Sequence, residues 1–187
     1  YLFRYKGKNA GIVRIFGGQV IAQAYIAANS TVSEEMYLHS LHAYFLRPGI
    51  IKQPVLFTVD PVRDGKSFFT RTVKAIQNNE IIFIMTASFQ KEEDGLTHSI
   101  EMPKVPDPDQ LKDEIQMREE NIEIIPKELR KFFLKKREYV LKCVEWNDVF
   151  DPKPMPPVRN VWLKPNGDIP NKGVLHHCLL YTSPSPR

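Results

Sequence analysis

Apolar residues along this chain follow two rhythms. Between Gly17 and Ser30, Val20, Ile21, Ala24, Ala27 and Ala28 keep the i, i+3/i+4, i+7/i+8 spacing of a helix, and Ala22, Tyr25 and Ile26 carry apolar character around most of the cylinder. The spacing predicts one buried helix over residues 16–30, with alanines that let a covering surface approach closely. After a polar link at Ser30–Glu35 the rhythm shortens to Tyr37–Leu46, Val55–Val62, Phe68–Gln77 and Ile81–Gln90, separated by Pro48-Gly49, Asp64-Gly65 and Asn78-Asn79. These are strand and hairpin signals. Period two places Leu38, Ser40, His42, Tyr44 and Leu46 on one face of the first run and His39, Leu41, Ala43 and Phe45 on the other.

One long helix followed by three or four antiparallel strands makes an α+β domain that ends near Gln90, and a sheet curled around such a helix has the geometry of a hotdog fold. Upstream, Tyr1–Gly7 is strand-like without an initiating methionine, so the true start is expected further upstream; Lys8–Gly11 reads as a loop and Ile12–Ile15 leads to Gly17-Gly18. Downstream, Lys91–Pro108 loses any apolar period and reads as a linker. Gln110–Tyr139 is charge-rich, Val140–Val144 is a strand, Asp151–Pro157 resists regular structure, and Arg159–Lys164 resumes as a strand before the turn Asn166-Gly167-Asp168.

Composition adds limits rather than identity. A chain of 187 residues with 42% hydrophobic content supports one moderate core, or one domain and part of another. No apolar run approaches the roughly 20 residues that span a bilayer, and the first residues lack a secretory signature. The formal charge of +4 and pI near 9.0 suit an anionic small ligand as readily as nucleic acid. Cys143 and Cys178 form neither a disulfide framework nor metal-ligand spacing, which favours a reducing compartment.

Three features invite chemistry, each with a plainer reading beside it. Gly17-Gly18 opens a helix whose first amides can bind an anion or polarise a carbonyl, or it is simply a turn. His42 either faces a ligand or is hydrogen-bonded in a packed strand. Lys127–Glu138 mixes bases with aromatics; it reads as a solvated helix held down by Leu129, Phe132, Phe133 and Leu134, with a nucleic-acid or membrane-surface patch as the alternative.

Taken together, Phe3-Arg4, Arg14–Ala24, His39–Gly49, Arg63–Phe68 and Thr86–Gln90 resemble, in order and spacing, the first repeat of the acyl-CoA thioesterase II family, whose members join two hotdog repeats in one chain. The resemblance continues through Met102-Pro103 and Val161–Leu163 to Leu175-His176. It implies a first hotdog repeat over 1–90, a linker and charged helical segment over 91–157, and the start of a second repeat over 158–177. It also implies hydrolysis of fatty acyl-CoA to free fatty acid and coenzyme A by a water that an aspartate, a serine or threonine and a glutamine orient and activate, without metal or organic cofactor. Those three groups belong to the family's second repeat, so the pattern puts no catalytic residue in this chain. Substrate contacts are expected at Gly17, Gly18 and Gln19, with His42 and Ser67 as neighbours, in a site between repeats.

Further expectations are acyl-CoA as the partner, no nucleic acid, a homo-oligomer when full length, and a cytoplasmic or peroxisomal location. The competing reading is a non-catalytic hotdog module that binds coenzyme A or pairs with another subunit. Cys178–Arg187 leaves the family pattern and matches the translation of a transposon-end sequencing adapter, so the natural chain is expected to continue differently after His177.

Overall fold

A computed structural model of the chain describes residues 1–5, 14–170 and 173–182. The expected loop at Lys8–Gly11, the approach at Ile12-Val13 and the closing residues Ser183–Arg187 lie outside them. By contact the chain forms two units, residues 1–96 with those from 170 onward, and residues 97–169.

In the first unit, α1 (Gly17–Asn29) lies against an antiparallel sheet of β1 (Leu2–Tyr5), β2 (Met36–Phe45), β3 (Val55–Asp64), β4 (Phe68–Gln77) and β5 (Glu80–Lys91), in the order β1-β3-β4-β5-β2. The helix forms from the small-residue run predicted for it. Ala24 and Ala28 are fully buried, so the sheet can press Val73, Ala75, Phe83, Met85, Ala87 and Phe89 close to the helix backbone. Its end is written in hydroxyls: Ser30 Oγ donates to the Ile26 carbonyl at 2.8 Å and Thr31 Oγ1 to the Ala28 carbonyl at 2.7 Å, satisfying acceptors left by the last turn. A further helix, α4 (Gly173–Thr182), packs on α1, with Tyr25 Oη 2.9 Å from His177 Nδ1. Tyr25 also stacks on Phe89 of β5, so this tyrosine is covered from two sides. Helix α4 runs on through Thr182, into the segment that the sequence pattern set apart after His177. Ile26, by contrast, is exposed, so the apolar girdle of α1 is not fully covered.

The expected faces of β2 need correction. Leu38 pairs with Phe89 and Ser40 with Ser88, so His39 is an extra residue, a β-bulge that reverses the parity of what precedes it. Leu38 therefore joins Leu41 and Ala43 against the core, while Ser40, His42 and Tyr44 share the opposite face. Between β4 and β5, Asn78 and Asn79 take φ of 53° and 62°, the left-handed pair of a tight hairpin turn.

The second unit contains α2 (Glu114–Glu120), α3 (Lys127–Phe133), and a two-stranded ribbon of β6 (Tyr139–Cys143) and β7 (Val161–Pro165). A reciprocal cap starts α2: Asp113 Oδ1 accepts from the amides of Ile115 and Gln116, and Gln116 Oε1 accepts from the Asp113 amide. Helix α3 stops at Phe133, short of the predicted Glu138, and the residues beyond it lead into β6, where Asn166 donates to the carbonyls of Arg137 and Glu138 from its side chain and its backbone. The proline-rich stretch 151–157 is a connection inside this unit, since β6 and β7 pair across it.

Candidate functional site

The head of α1 is built from the end of β2 and the loop that follows. The Phe45 ring lies over Gly17, close enough that a Cβ there would sit 3.0 Å from its Cζ, and Phe45 packs on Phe83 with centroids 5.0 Å apart. Glycine at 17 thus lets the aromatic ring approach the helix backbone. Phe16 precedes the helix without a side-chain cap, and the first turn holds no acidic residue. Its carbonyl accepts from the amides of Gln19 and Val20, while those of Gly17 and Gly18 make no hydrogen bond among the described residues. Gln19 donates from Nε2 to Tyr5 Oη at 3.1 Å, a partner on β1 that sequence spacing did not reveal. Phe16, Phe45, Leu46 and Ile50 leave apolar surface exposed around this end. The arrangement offers amide donors beside an apolar rim, which suits a carbonyl or anion attached to an apolar chain.

His42 and Ser67 are not part of it. His42 is exposed on the sheet face opposite α1, paired with Thr86 and packed edge-on against Tyr44 at 4.7 Å. Ser67 sits in the turn between β3 and β4, its carbonyl accepting from the Lys91 amide at 3.0 Å. Along β5, Lys91 is roughly 26 Å from Phe83, the strand residue that marks the Gly17 end. The expected five-residue neighbourhood is therefore three separate places, because Leu41 and Ala43 take the core side of β2 and leave His42 on the other, and the helix runs toward the Ser67 end.

The polar centre near that far end was missed. Arg71 is 2% exposed on the core face of β4. Its guanidinium donates to Asp64 Oδ1 at 2.5 Å, to Thr31 through side chain and carbonyl at 2.8 and 3.0 Å, and to the carbonyls of Arg63 and Thr70. The signal was present, since Phe69, Arg71, Val73 and Ala75 share one strand face. With all three guanidinium nitrogens bonded to protein groups, Arg71 ties the end of α1 to β3. Gln77, also buried, exchanges hydrogen bonds with the Ile50 backbone and reaches the Gln53 carbonyl, fixing the loop after β2.

Nucleophile chemistry finds little support elsewhere. His39 Nε2 lies 2.8 Å from Ser88 Oγ at the bulge, but the pair is exposed and no carboxylate is bonded to the imidazole among the described residues. Burial pushes the Cys178 thiol up to about 11, so it is a packing group rather than a thiolate. Among the described residues no three of His, Cys, Asp or Glu gather closely enough to hold a metal ion. No helix among them is long and apolar enough to cross a membrane.

Residues 7–90 match the family model of the acyl-CoA thioesterase N-terminal domain. Over 179 residues the chain is 36% identical to acyl-CoA thioesterase 2 of Haemophilus influenzae, covering 96% of this chain and 63% of that protein. Among solved structures it resembles the acyl-CoA thioesterase II TesB2 of Mycobacterium marinum, with 33% identity and a TM-score of 0.71 over 96% of this chain and 61% of that one. A hot dog fold protein from Alicyclobacillus acidocaldarius gives a TM-score of 0.71 at 21% identity over 98% of this chain and 64% of that one, a likeness of fold alone. The chain spans less than two thirds of the length of each of these relatives. The helix laid on an antiparallel sheet is thus a hotdog fold, as its sequence rhythm predicts.

Proposed function

We propose that this chain, which belongs to the acyl-CoA thioesterase II family, supplies the first hotdog repeat of an enzyme that hydrolyses fatty acyl-CoA to free fatty acid and coenzyme A. The observation that carries the reading is the match of residues 7–90 to the acyl-CoA thioesterase N-terminal domain, supported by 36% identity to a named thioesterase over nearly the whole chain. In this reading Gly17, Gly18 and Gln19 line the substrate site without performing the chemistry, and residues 158–177 are the start of the second repeat. The general base, hydroxyl and glutamine of the reaction are assigned to that second repeat. Two free cysteines fit a reducing compartment, the cytosol or the peroxisome.

A fatty acyl-CoA incubated with the purified chain and a thiol-reactive chromophore tests this division of labour. The expected result is release of coenzyme A no faster than in buffer, with calorimetry detecting coenzyme A binding that Gln19→Ala weakens. Rapid, saturable release would place a complete catalytic centre within these residues and overturn it.

The second reading, a non-catalytic module that binds coenzyme A or pairs with another subunit, is favoured by the scattering of Gly17, His42 and Ser67 over three places. Extending the chain to the length of its relatives separates the two: turnover in the extended protein supports the enzyme, and its absence supports the module.

A further inference from the structure

We propose that Asn166 is a self-modifying site, whose side-chain amide is lost to attack by the Gly167 backbone nitrogen and leaves isoaspartate or aspartate at the closing end of the β6–β7 ribbon. Of the chain's asparagines only Asn166 precedes a glycine. Elsewhere a β-carbon on the following residue crowds the nitrogen that would attack; Gly167 has none, and nothing beyond its chain neighbours lies within 4 Å of where one would be. The turn itself keeps a glycine there, since Gly167 holds a φ of 135° that other residues rarely adopt. Its amide donates no hydrogen bond among the described residues, so the attacking nitrogen is free, and both residues are exposed to the water that the reaction consumes.

The step balances without a cofactor. The Gly167 nitrogen gives its proton to solvent base and bonds to Asn166 Cγ, the Cγ–Nδ2 bond breaks, and the departing nitrogen takes a proton from water to leave as ammonia. One water then opens the cyclic imide: cleavage of the new Cγ–N bond gives aspartate, and cleavage of the original peptide bond gives isoaspartate, with the main chain running through Cβ and Cγ. The same residue clasps the ribbon, which gives the chemistry a structural consequence. Asn166 donates from Nδ2 to the Arg137 carbonyl at 2.9 Å and from its backbone to the Glu138 carbonyl at 2.8 Å, just beyond the Tyr139–Pro165 pair that ends the ladder. A carboxylate accepts but cannot donate, so the first contact becomes a repulsion. Isoaspartate adds an atom to the backbone and displaces the second contact as well. Because the bond to Arg137 also restrains the amide, conversion is slower in the folded chain than in the unfolded one. The inference does not rest on the thioesterase reading.

Prolonged incubation of the whole chain in mildly alkaline buffer, followed by peptide mass spectrometry, tests it. We expect NH to be replaced by O at Asn166, with the chain becoming a methyl acceptor for an isoaspartyl methyltransferase, faster as pH rises, while Asn79, Asn121 and Asn147 keep their mass. Amides of β6 and β7 should then exchange hydrogen about fivefold faster, the scale of one lost hydrogen bond. Asn166→Asp should show the same loosening without incubation. Asn166→Gln, whose longer stem closes a ring far more slowly, should keep its mass. Asn166 left intact in the folded chain once the urea-unfolded chain has converted, aspartate without isoaspartate, or equal conversion in Asn166→Gln would overturn the proposal. So would ribbon amides that Asn166→Asp leaves unmoved.

Discussion

A buried guanidinium such as that of Arg71 persists where its charge is met and its nitrogens are bonded, and here the Thr31 hydroxyl, Asp64 and three backbone carbonyls bond all three nitrogens. Arg71→Met keeps the length of the stem but strips the end of α1 of its tie to β3. The expected cost is about 3 kcal/mol, a fall of roughly 10 °C in melting temperature for a chain of this size. Asp64→Asn should cost about 1 kcal/mol, because Asp64 is half-exposed and water replaces part of what it loses. Equal melting of Arg71→Met and the parent would show the cluster to be decoration. The exposed pair Glu35–Lys91, 2.8 Å apart, gives a pH signature of its own. A hydrogen bond from Lys91 holds the Glu35 carboxyl below its ordinary value, and the same bond raises Lys91. The Glu35 contribution is present above its unfolded pKa and is lost as pH falls through the lowered folded one. That of Lys91 is present below its unfolded pKa and is lost as pH rises through the raised one. Glu35→Gln should therefore lower the melting temperature slightly between those limits, match the parent in acid below the folded Glu35 pKa, and lose its effect in high salt. An effect persisting in high salt would contradict a purely electrostatic pair.

Turns and runs made the strands legible, while what depended on a single inserted residue did not show. Phe68–Gln77 was read with the boundaries it has, because Asn78-Asn79 marks the turn and apolar residues alternate before it. The faces of β2 were misread since no side chain announces the bulge at His39; its position is set by pairing with β5. Helix α3 posed a related difficulty, its anchoring face being chosen by Phe150 and Arg118 from outside the segment. The hairpin between β4 and β5 offers a direct check on local backbone energetics. Asn79 holds a φ of 62°, which glycine adopts without Cβ strain, and Asn-Gly is the favoured pair for such a turn. Asn79→Gly should stabilise the protein by about 0.5 kcal/mol, raising the melting temperature by roughly 1–2 °C. A lower melting temperature would mean that the Asn79 side chain contributes more than its backbone conformation costs.

At the scale of the molecule, the candidate site was legible only where one element carries it. Gly17, Gly18 and Gln19 belong together because a helix turn joins them, whereas the places of His42 and Ser67 depend on strand register and helix direction, which no local pattern carries. The sheet raises a further question at its β2 edge. Strand β2 has β5 on one side and no described strand on the other, over ten residues without a proline or a charged side chain apart from histidines. Tyr37, Tyr44 and Phe45 add exposed aromatic surface along it, and the bulge at His39 interrupts only its first half. An edge of that length and composition is a template for pairing with another strand, whether from a second copy or from the remainder of a longer chain. The 187-residue chain is therefore expected to self-associate, with light scattering giving a mass that grows with concentration. Ser40→Lys, His42→Lys and Tyr44→Lys place charges on one exposed face of this strand without entering the core, so they should shift the population to monomer while leaving the melting curve nearly unchanged. A parent chain already monomeric at high concentration, or lysine variants that associate as strongly as the parent, would remove β2 as the seat of the interaction.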